Sequence, residues 1–207
     1  MESLPLFPLP LMPLPGEQVG LFIFEPRYQT LFDALESLEV AEFGIPFAHA
    51  GRLEGVGAVM RLIGVTERFP DGRRHVLVTV CDLFRLVGFD ESPAQVPYPL
   101  GEIQRLEGWR DWTLAPSDVA EWDRLSDWLA QEEARKSGQA SSTPHRNQRP
   151  PLLLDAARVL SLDARQRAAL LVLNSNRARR RLFSQLLEYT RLILNQEQHM
   201  DRFISPN

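Results

Sequence analysis

Apolar residues along this chain change their period twice, and the changes mark out its elements. Residues 4–16, LPLFPLPLMPLPG, are apolar almost throughout yet contain five prolines. Each proline removes a backbone donor and collides with the preceding helical turn, so the run predicts an extended segment whose leucines need a sheet or groove to bury them. After the Pro15-Gly16 turn pair, QVGLFIF (18–24) reads as a short buried strand. In EPRYQTLFDALESL, Pro26 suits the first helical position. Tyr28, Leu31, Phe32 and Leu35 then follow at the i, i+3, i+4, i+7 spacing of a core-facing helical stripe.

Strand-like runs occupy 42–49 and 56–69. Between them and the next run, FPDGRR (69–74) supplies a fixed φ, a side-chain acceptor and a residue free to turn left-handed, which predicts a β-hairpin. Its return strand, 75–89, is long enough to bend or carry a bulge, and 97–109 adds another strand. Beyond that point the period becomes helical. PSDVAEWDRLSDWLAQEEARK (116–136) places Val119, Trp122, Leu125 and Leu129 along one face, with Ser117 as its N-cap. The small polar stretch 137–151 predicts a mobile loop. Three further helices follow, the last two capped by Asp163 and by Asn174 or Ser175. The predicted fold class is α+β, a β-rich domain over residues 1–112 followed by a helical one over 113–207.

Composition changes this picture little: 207 residues with 44% apolar and 24% charged side chains suit one large or two small globular domains. The proline-broken start, with Glu2 before any basic residue and Arg27 the first of those, lacks the pattern of a secretory signal, and no other run is long and apolar enough to span a bilayer. The expectation is no membrane association. Cys81 is the single cysteine, has no internal disulfide partner and reads as a small hydrophobe, which fits a reducing, cytoplasmic compartment. Charge is uneven. Residues 1–134 hold 10 arginines against 22 acids, or −12, and residues 135–207 hold 13 basic residues against 5 acids, or +8. The basic residues sit on the polar faces of amphipathic helices, and the same asymmetry is a signature of nucleic-acid binding, for which Arg177, Arg180 and Arg181 share a helical face.

Candidate catalytic chemistry is thin. There is no G-x-x-x-x-G-K-[ST] loop to cradle phosphates. The one lysine, Lys136, stands where the acidic helix gives way to the polar loop, not in a desolvated site where it would act as a base. His49, His75, His145 and His199 are dispersed, without metal-ligand spacing. Glu132 and Glu133 are consecutive on a helix end and point in different directions. The chain is therefore read as no enzyme, with no cofactor and no metal. Its binding candidates are Trp109, Trp112, Trp122 and Trp128, crowded into twenty residues, some to pack the junction and the rest to line a groove for apolar segments.

The opening LPLFPLPLMPLPGEQVGLFIFEPRY resembles the start of the Lon N-terminal (substrate-binding) domain family. GVGAVMRLIGVTERFPDGRRHVLV is similar to that family's G-x-V-G-T-V strand, PDG hairpin and return strand. VPYPLGEIQRLE looks like its Pro-Tyr strand, and DARQRAALLVLNSNRARRRLFSQLL like its helical end. The likeness covers nearly the whole chain and is densest over 4–90. Val80 and Leu83 stand where the family often has glycine and arginine, Phe84 is retained, and Val172 replaces an acidic residue. The resemblance implies a PUA-like β pseudo-barrel of about six strands with one early helix, followed by a helical bundle. It implies a lead-in strand paired at both ends and interrupted between them. In Phe24-Glu25-Pro26-Arg27-Tyr28 it implies Phe24 and Tyr28 in the core and a fixed Glu25–Arg27 contact at the corner. It also implies a stand-alone, non-enzymatic member without ATPase or peptidase modules. The implied partners are unfolded or apolar polypeptide segments or a partner protein, with a protease adaptor as one form. Because PUA-like folds also occur in RNA-binding proteins, nucleic acid is the alternative partner.

Overall fold

Residues 2–137 and 152–204 are described by a computed structural model. The stretch 138–151, and with it nearly all of the expected loop and His145, lies outside the described residues. Among the described residues six strands and five helices follow one another as β1 (Glu2–Pro5), β2 (Gln18–Ile23), α1 (Pro26–Glu36), β3 (Phe43–His49), β4 (Arg52–Arg68), β5 (Arg74–Asp90), β6 (Leu100–Arg105), α2 (Pro116–Ser137), α3 (Leu153–Val159), α4 (Ala164–Val172) and α5 (Asn176–Ile204), with one 3-10 turn at Trp109–Asp111. The chain divides into two units, 1–107 with 163–172, and 108–162 with 173–207. Periodicity alone places α4 with the other late helices. It groups with the sheet instead, because Arg167 donates to Glu17 Oε2 at 2.8 Å and to Met12 O at 3.2 Å, and Arg85 donates to Val172 O at 3.1 Å.

In the first unit all strand pairs are antiparallel, in the order β1-β6-β5-β4-β3, with β2 alongside the first half of β5. The proline-rich lead-in closes this sheet. Leu6 N–H still donates toward the β6 side, to Pro99 O at 2.8 Å. One residue later Phe7 N–H donates to Gly44 O at 2.8 Å, and Ala48 N–H donates to Leu9 O at 2.9 Å, so the chain has crossed to β3. The amides that bond are the ones the prolines leave between them. The Leu6 side chain is fully buried among Leu4, Val59, Phe84 and Ile103. It fits because two strands meet it with glycine: a Cβ on Gly44 would come within 2.6 Å of Leu6 Cδ2, and one on Gly101 within 2.3 Å of Cδ1. The early helix covers this core with its predicted stripe of Tyr28, Leu31, Phe32 and Leu35, and Phe7 packs on Tyr28 with ring centroids 4.0 Å apart.

Helix caps follow the sequence in two cases. Asp163 Oδ1 accepts Gln166 N–H at 2.8 Å while Gln166 Oε1 accepts Asp163 N–H at 2.9 Å, a reciprocal capping box for α4. Ser175 Oγ accepts Ala178 N–H at 3.2 Å at the start of α5. Ser117 is a correction. The α2 helix begins one residue earlier with Pro116 in its first turn, Asp118 N–H bonds Ala115 O at 2.9 Å, and Ser117 Oγ merely donates to Asp118 Oδ1. In the second unit Leu153 N–H donates to Trp112 O at 2.7 Å, and the interior holds Trp112, Leu114, Trp122, Leu125, Leu154, Phe183 and Leu187.

Charge is organised around two arginines of the first unit. Arg74 is buried and donates to Asp33 at 2.7 Å and Glu36 at 2.5 Å, tying β5 to α1. Arg105 donates to both oxygens of Glu2 at 2.9 and 2.8 Å and to Glu42 at 2.7 Å, with Asp82 3.5 Å away, so one guanidinium clasps β1, β5, β6 and the entry to β3. The hydrogen bond from Arg105 holds the Glu2 carboxyl below its ordinary value of 4.5.

Replacing Leu6 with alanine leaves a cavity no neighbour can fill, and equilibrium urea unfolding is expected to show a loss of about 3 kcal/mol, against about 1 kcal/mol for Leu11→Ala at a half-buried position. Because the folded-state pKa of Glu2 is depressed, its contribution is present above the ordinary carboxyl range and fades as pH falls below it. Glu2→Gln is expected to cost at most about 1 kcal/mol at pH 7, since Glu2 is partly exposed and water screens the pair. The gap between variant and parent in urea titrations should shrink as pH is lowered below about 4.

Candidate functional site

The hairpin that joins β4 to β5 is set by its turn residues. Phe69 N–H donates to Arg73 O at 2.9 Å, Gly72 N–H to Phe69 O at 3.1 Å, and Asp71 Oδ1 accepts Arg73 N–H at 3.2 Å, with Gly72 at φ 87° where a side chain would be strained. This fixes the register of the return strand, so that His75 lies opposite Glu67 on β4 and opposite Phe22 on β2. On β2, Leu21 and Ile23 point inward and are buried, so alternation sends Phe22 and Phe24 outward. Phe24 is thus a correction: it is 57% exposed, not core, because Ile23 takes the inward position beside it. Tyr28 is in the core as implied. Glu25 and Arg27 form the corner contact at 3.0 Å, with the Arg27 guanidinium 4.6 Å from the Tyr28 ring centre and Pro26 in the first helical turn.

The outward residues form one cluster. Phe22, 38% exposed, stacks on His75 at 4.6 Å, lies 5.9 Å from Phe24 and meets Phe69 edge-on at 6.0 Å. Phe69 and His75 are 5.9 Å apart, and the Arg73 guanidinium sits 5.5 Å from Phe69 and 5.9 Å from Phe22. Glu67 Oε2 is 4.0 Å from His75 Nε2 at its edge. In the neighbouring cross-strand row Gly20, Leu77 and Gly64 face the same side, and a Cβ on either glycine would meet nothing within 4 Å. Ile63, at the bulge beside Gly64, is another exposed apolar side chain. The result is a ridge of rings next to a shallow, glycine-lowered strip. Grouped exposed rings of this kind give contact area at low cost in side-chain entropy.

Of the four tryptophans singled out in the sequence, two are buried and two half-buried. Trp112 and Trp122 are 4% and 7% exposed and serve the interior of the second unit, where the Arg179 guanidinium lies 3.5 Å from the Trp112 ring centre. Trp109 and Trp128 are half-buried, with the Arg110 guanidinium 4.1 Å from the Trp109 ring centre. The three arginines of α5 differ in their surroundings. Arg177 and Arg181 are exposed, while Arg180 donates to Thr113 O at 2.9 Å and Thr113 Oγ1 at 2.6 Å. Cys81 is half-buried, and that burial pushes its thiol above the ordinary range, away from nucleophilic use. Among the described residues no group of three His, Cys, Asp or Glu side chains is placed to hold a metal ion, and no helix is long and apolar enough to cross a membrane. Two shallow clefts flank the lead-in, one of about 380 Å³ lined by Pro10, Phe47, His49, Asp163, Ala164 and Arg165, and one of about 230 Å³ that includes Met12, Val19 and Arg167. The phenylalanine cluster is missed by sequence reasoning because GLFIF is apolar at every position but one. Only the fact that Leu21 and Ile23 face inward separates the two sides.

Comparison with known proteins agrees with the barrel and its closure. The crystal structure of the Lon N-terminal domain protein from Xanthomonas campestris is 25% identical and superposes with a TM-score of 0.64, covering 91% of this chain and 99% of that one. The N-terminal domain of the Mycobacterium avium complex Lon protease gives 0.63 over 90% of this chain and 98% of that one, and at 16% identity this is a likeness of fold. A search of curated proteins finds no match. Residues 3–188 match the family described as the ATP-dependent protease La (LON) substrate-binding domain. Because that match spans the barrel, the early helix and most of the helical end, the chain belongs to the LON substrate-binding domain family.

Proposed function

We propose that this protein is a binding module that holds unfolded or apolar polypeptide segments and transforms none of them. The observation that carries this reading is the cluster of exposed Phe22 and Phe24 with half-buried Phe69 around His75, on strands whose inward residues are committed to the core. Inward side chains hold the core, whereas rings left outward in a group keep accessible area for contact with another chain. The family description supports the same class of ligand, since it is a substrate-binding domain. Phe22 and Phe24 supply the main contact area, and Arg73 lends a cation at the edge of the rings. A client held in this way is left intact for another protein to process, as a protease adaptor requires, and the lone Cys81 suits work in a reducing cytoplasm.

Titration with a permanently unfolded protein, reduced and carboxymethylated lactalbumin, is expected to show saturable binding at micromolar concentration. The Phe22→Ser/Phe24→Ser double variant is expected to weaken it tenfold or more, as loss of two aromatic anchors does, while its urea unfolding midpoint stays near that of the parent. Arg177→Ser/Arg181→Ser should leave the affinity unchanged. Absence of binding, with no suppression of aggregation, refutes the reading. RNA binding that falls steeply between low and moderate salt and is lost with those arginines would replace it.

A further inference from the structure

The outer edge of β2 differs from the other strand margins of the first unit. The lead-in covers one side of β3, and β1, β6 and β5 pair in sequence. The second half of β4 also lacks a further strand, but it carries two bulges, and its Arg61 and Arg68 are tied to Glu42 and Glu36. Bulges and charges of this kind stop a strand from accepting a neighbour. On β2 there is no bulge, the register with β5 is regular from Gln18 to Ile23, and residues 18–24 carry no charge. Among the described residues its only strand partner is β5.

The direction of its backbone groups follows from one hydrogen bond. Val80 N–H donates to Glu17 O at 3.2 Å, which makes Glu17 and Val80 a bonded pair in the antiparallel ladder. Bonded pairs alternate, so Val19, Leu21 and Ile23 bond to β5 while Gln18, Gly20 and Phe22 turn their N–H and C=O groups away from it. Among the described residues nothing hydrogen-bonds those outward groups, and all three residues are exposed. The outward groups recur every second residue, about 6.8 Å apart, which is the repeat of an extended peptide backbone. Beside them lie the rings of Phe22 and Phe24 and the low strip over Gly20.

We infer that the outer edge of β2 takes up an extended, uncharged stretch of unfolded polypeptide as an added strand, its backbone bonded to Gly20 and Phe22 and its alternate apolar side chains laid against the phenylalanine cluster. This rests on the client-binding reading and specifies how the client is held: main-chain bonds supply affinity indifferent to sequence, and the rings select apolar side chains. The absence of charge along 18–24 sets the chemistry of the occupant, since an ionised side chain brought to this edge would lose water and meet no counter-charge on β2.

The test uses amide exchange in the isotopically labelled, unaltered protein, with and without reduced, carboxymethylated lactalbumin. The Gly20 and Phe22 amides are expected to exchange slowly only when the probe is bound, while Leu21, already bonded to β5, changes little. Gly20→Pro removes an outward N–H without touching the β5 ladder, and is expected to weaken the probe about tenfold. Gly20→Ala, whose methyl meets nothing nearby, should stay within about twofold. Undiminished binding by Gly20→Pro, or unchanged exchange at Gly20 and Phe22 while the probe is bound, overturns the inference and leaves client binding by the rings intact. Protection that rises with protein concentration in the absence of probe also overturns it, by showing a second copy on the edge. Failure of the unaltered protein to bind the probe removes both.

Discussion

The side chain of Leu6 lies where two strands come together too closely for any side chain larger than hydrogen, with Gly44 on one side and Gly101 on the other. At the same residue the backbone stops bonding toward β6 and begins bonding to β3. Closing a sheet requires one segment to satisfy neighbours on both sides, and a proline-rich strand does this because each proline removes a donor that would otherwise be buried without a partner. The leucines between the prolines then fill the interior. Closure, core and the glycine positions are thus three views of a single packing constraint.

That constraint explains where charge and exposure are placed. Arg105 gathers Glu2, Glu42 and Asp82 next to the point where the lead-in begins, and Arg74 binds α1 to β5 through Asp33 and Glu36. Both arginines act as cross-braces between elements remote in sequence. With the inward positions of β2 and β5 committed to the core, the aromatic residues on the opposite parity have only the outer face to occupy. Phe22, Phe24, Phe69 and His75 come from three segments, and hairpin register brings them into contact.

Binding of apolar chain and an open strand edge are physically related. A flat, uncharged edge beside exposed rings is an aggregation hazard in most folds, which is why β4 is interrupted by bulges and paired charges. In β2 the same features are kept over only six residues. Short length limits self-association while leaving room for an extended segment to lie down.

The sequence by itself determined the elements. Proline spacing forbade a helix at the start, Pro-Asp-Gly forced the hairpin, the 3.6 period of Tyr28, Leu31, Phe32 and Leu35 marked the buried face of α1, and Asp163 marked the start of α4. These are local effects, carried by backbone sterics and by hydrogen bonds between near neighbours. Tertiary structure alone decided the rest. Phe24 is outward because Ile23 occupies the interior, Trp112 and Trp122 are spent inside the second unit, and α4 joins the sheet through Arg85 and Arg167. Where a run is apolar on both parities, as in GLFIF, composition does not record which parity faces in. That choice is made by the register of β5 and by the space left around the lead-in, and both depend on residues far away along the chain.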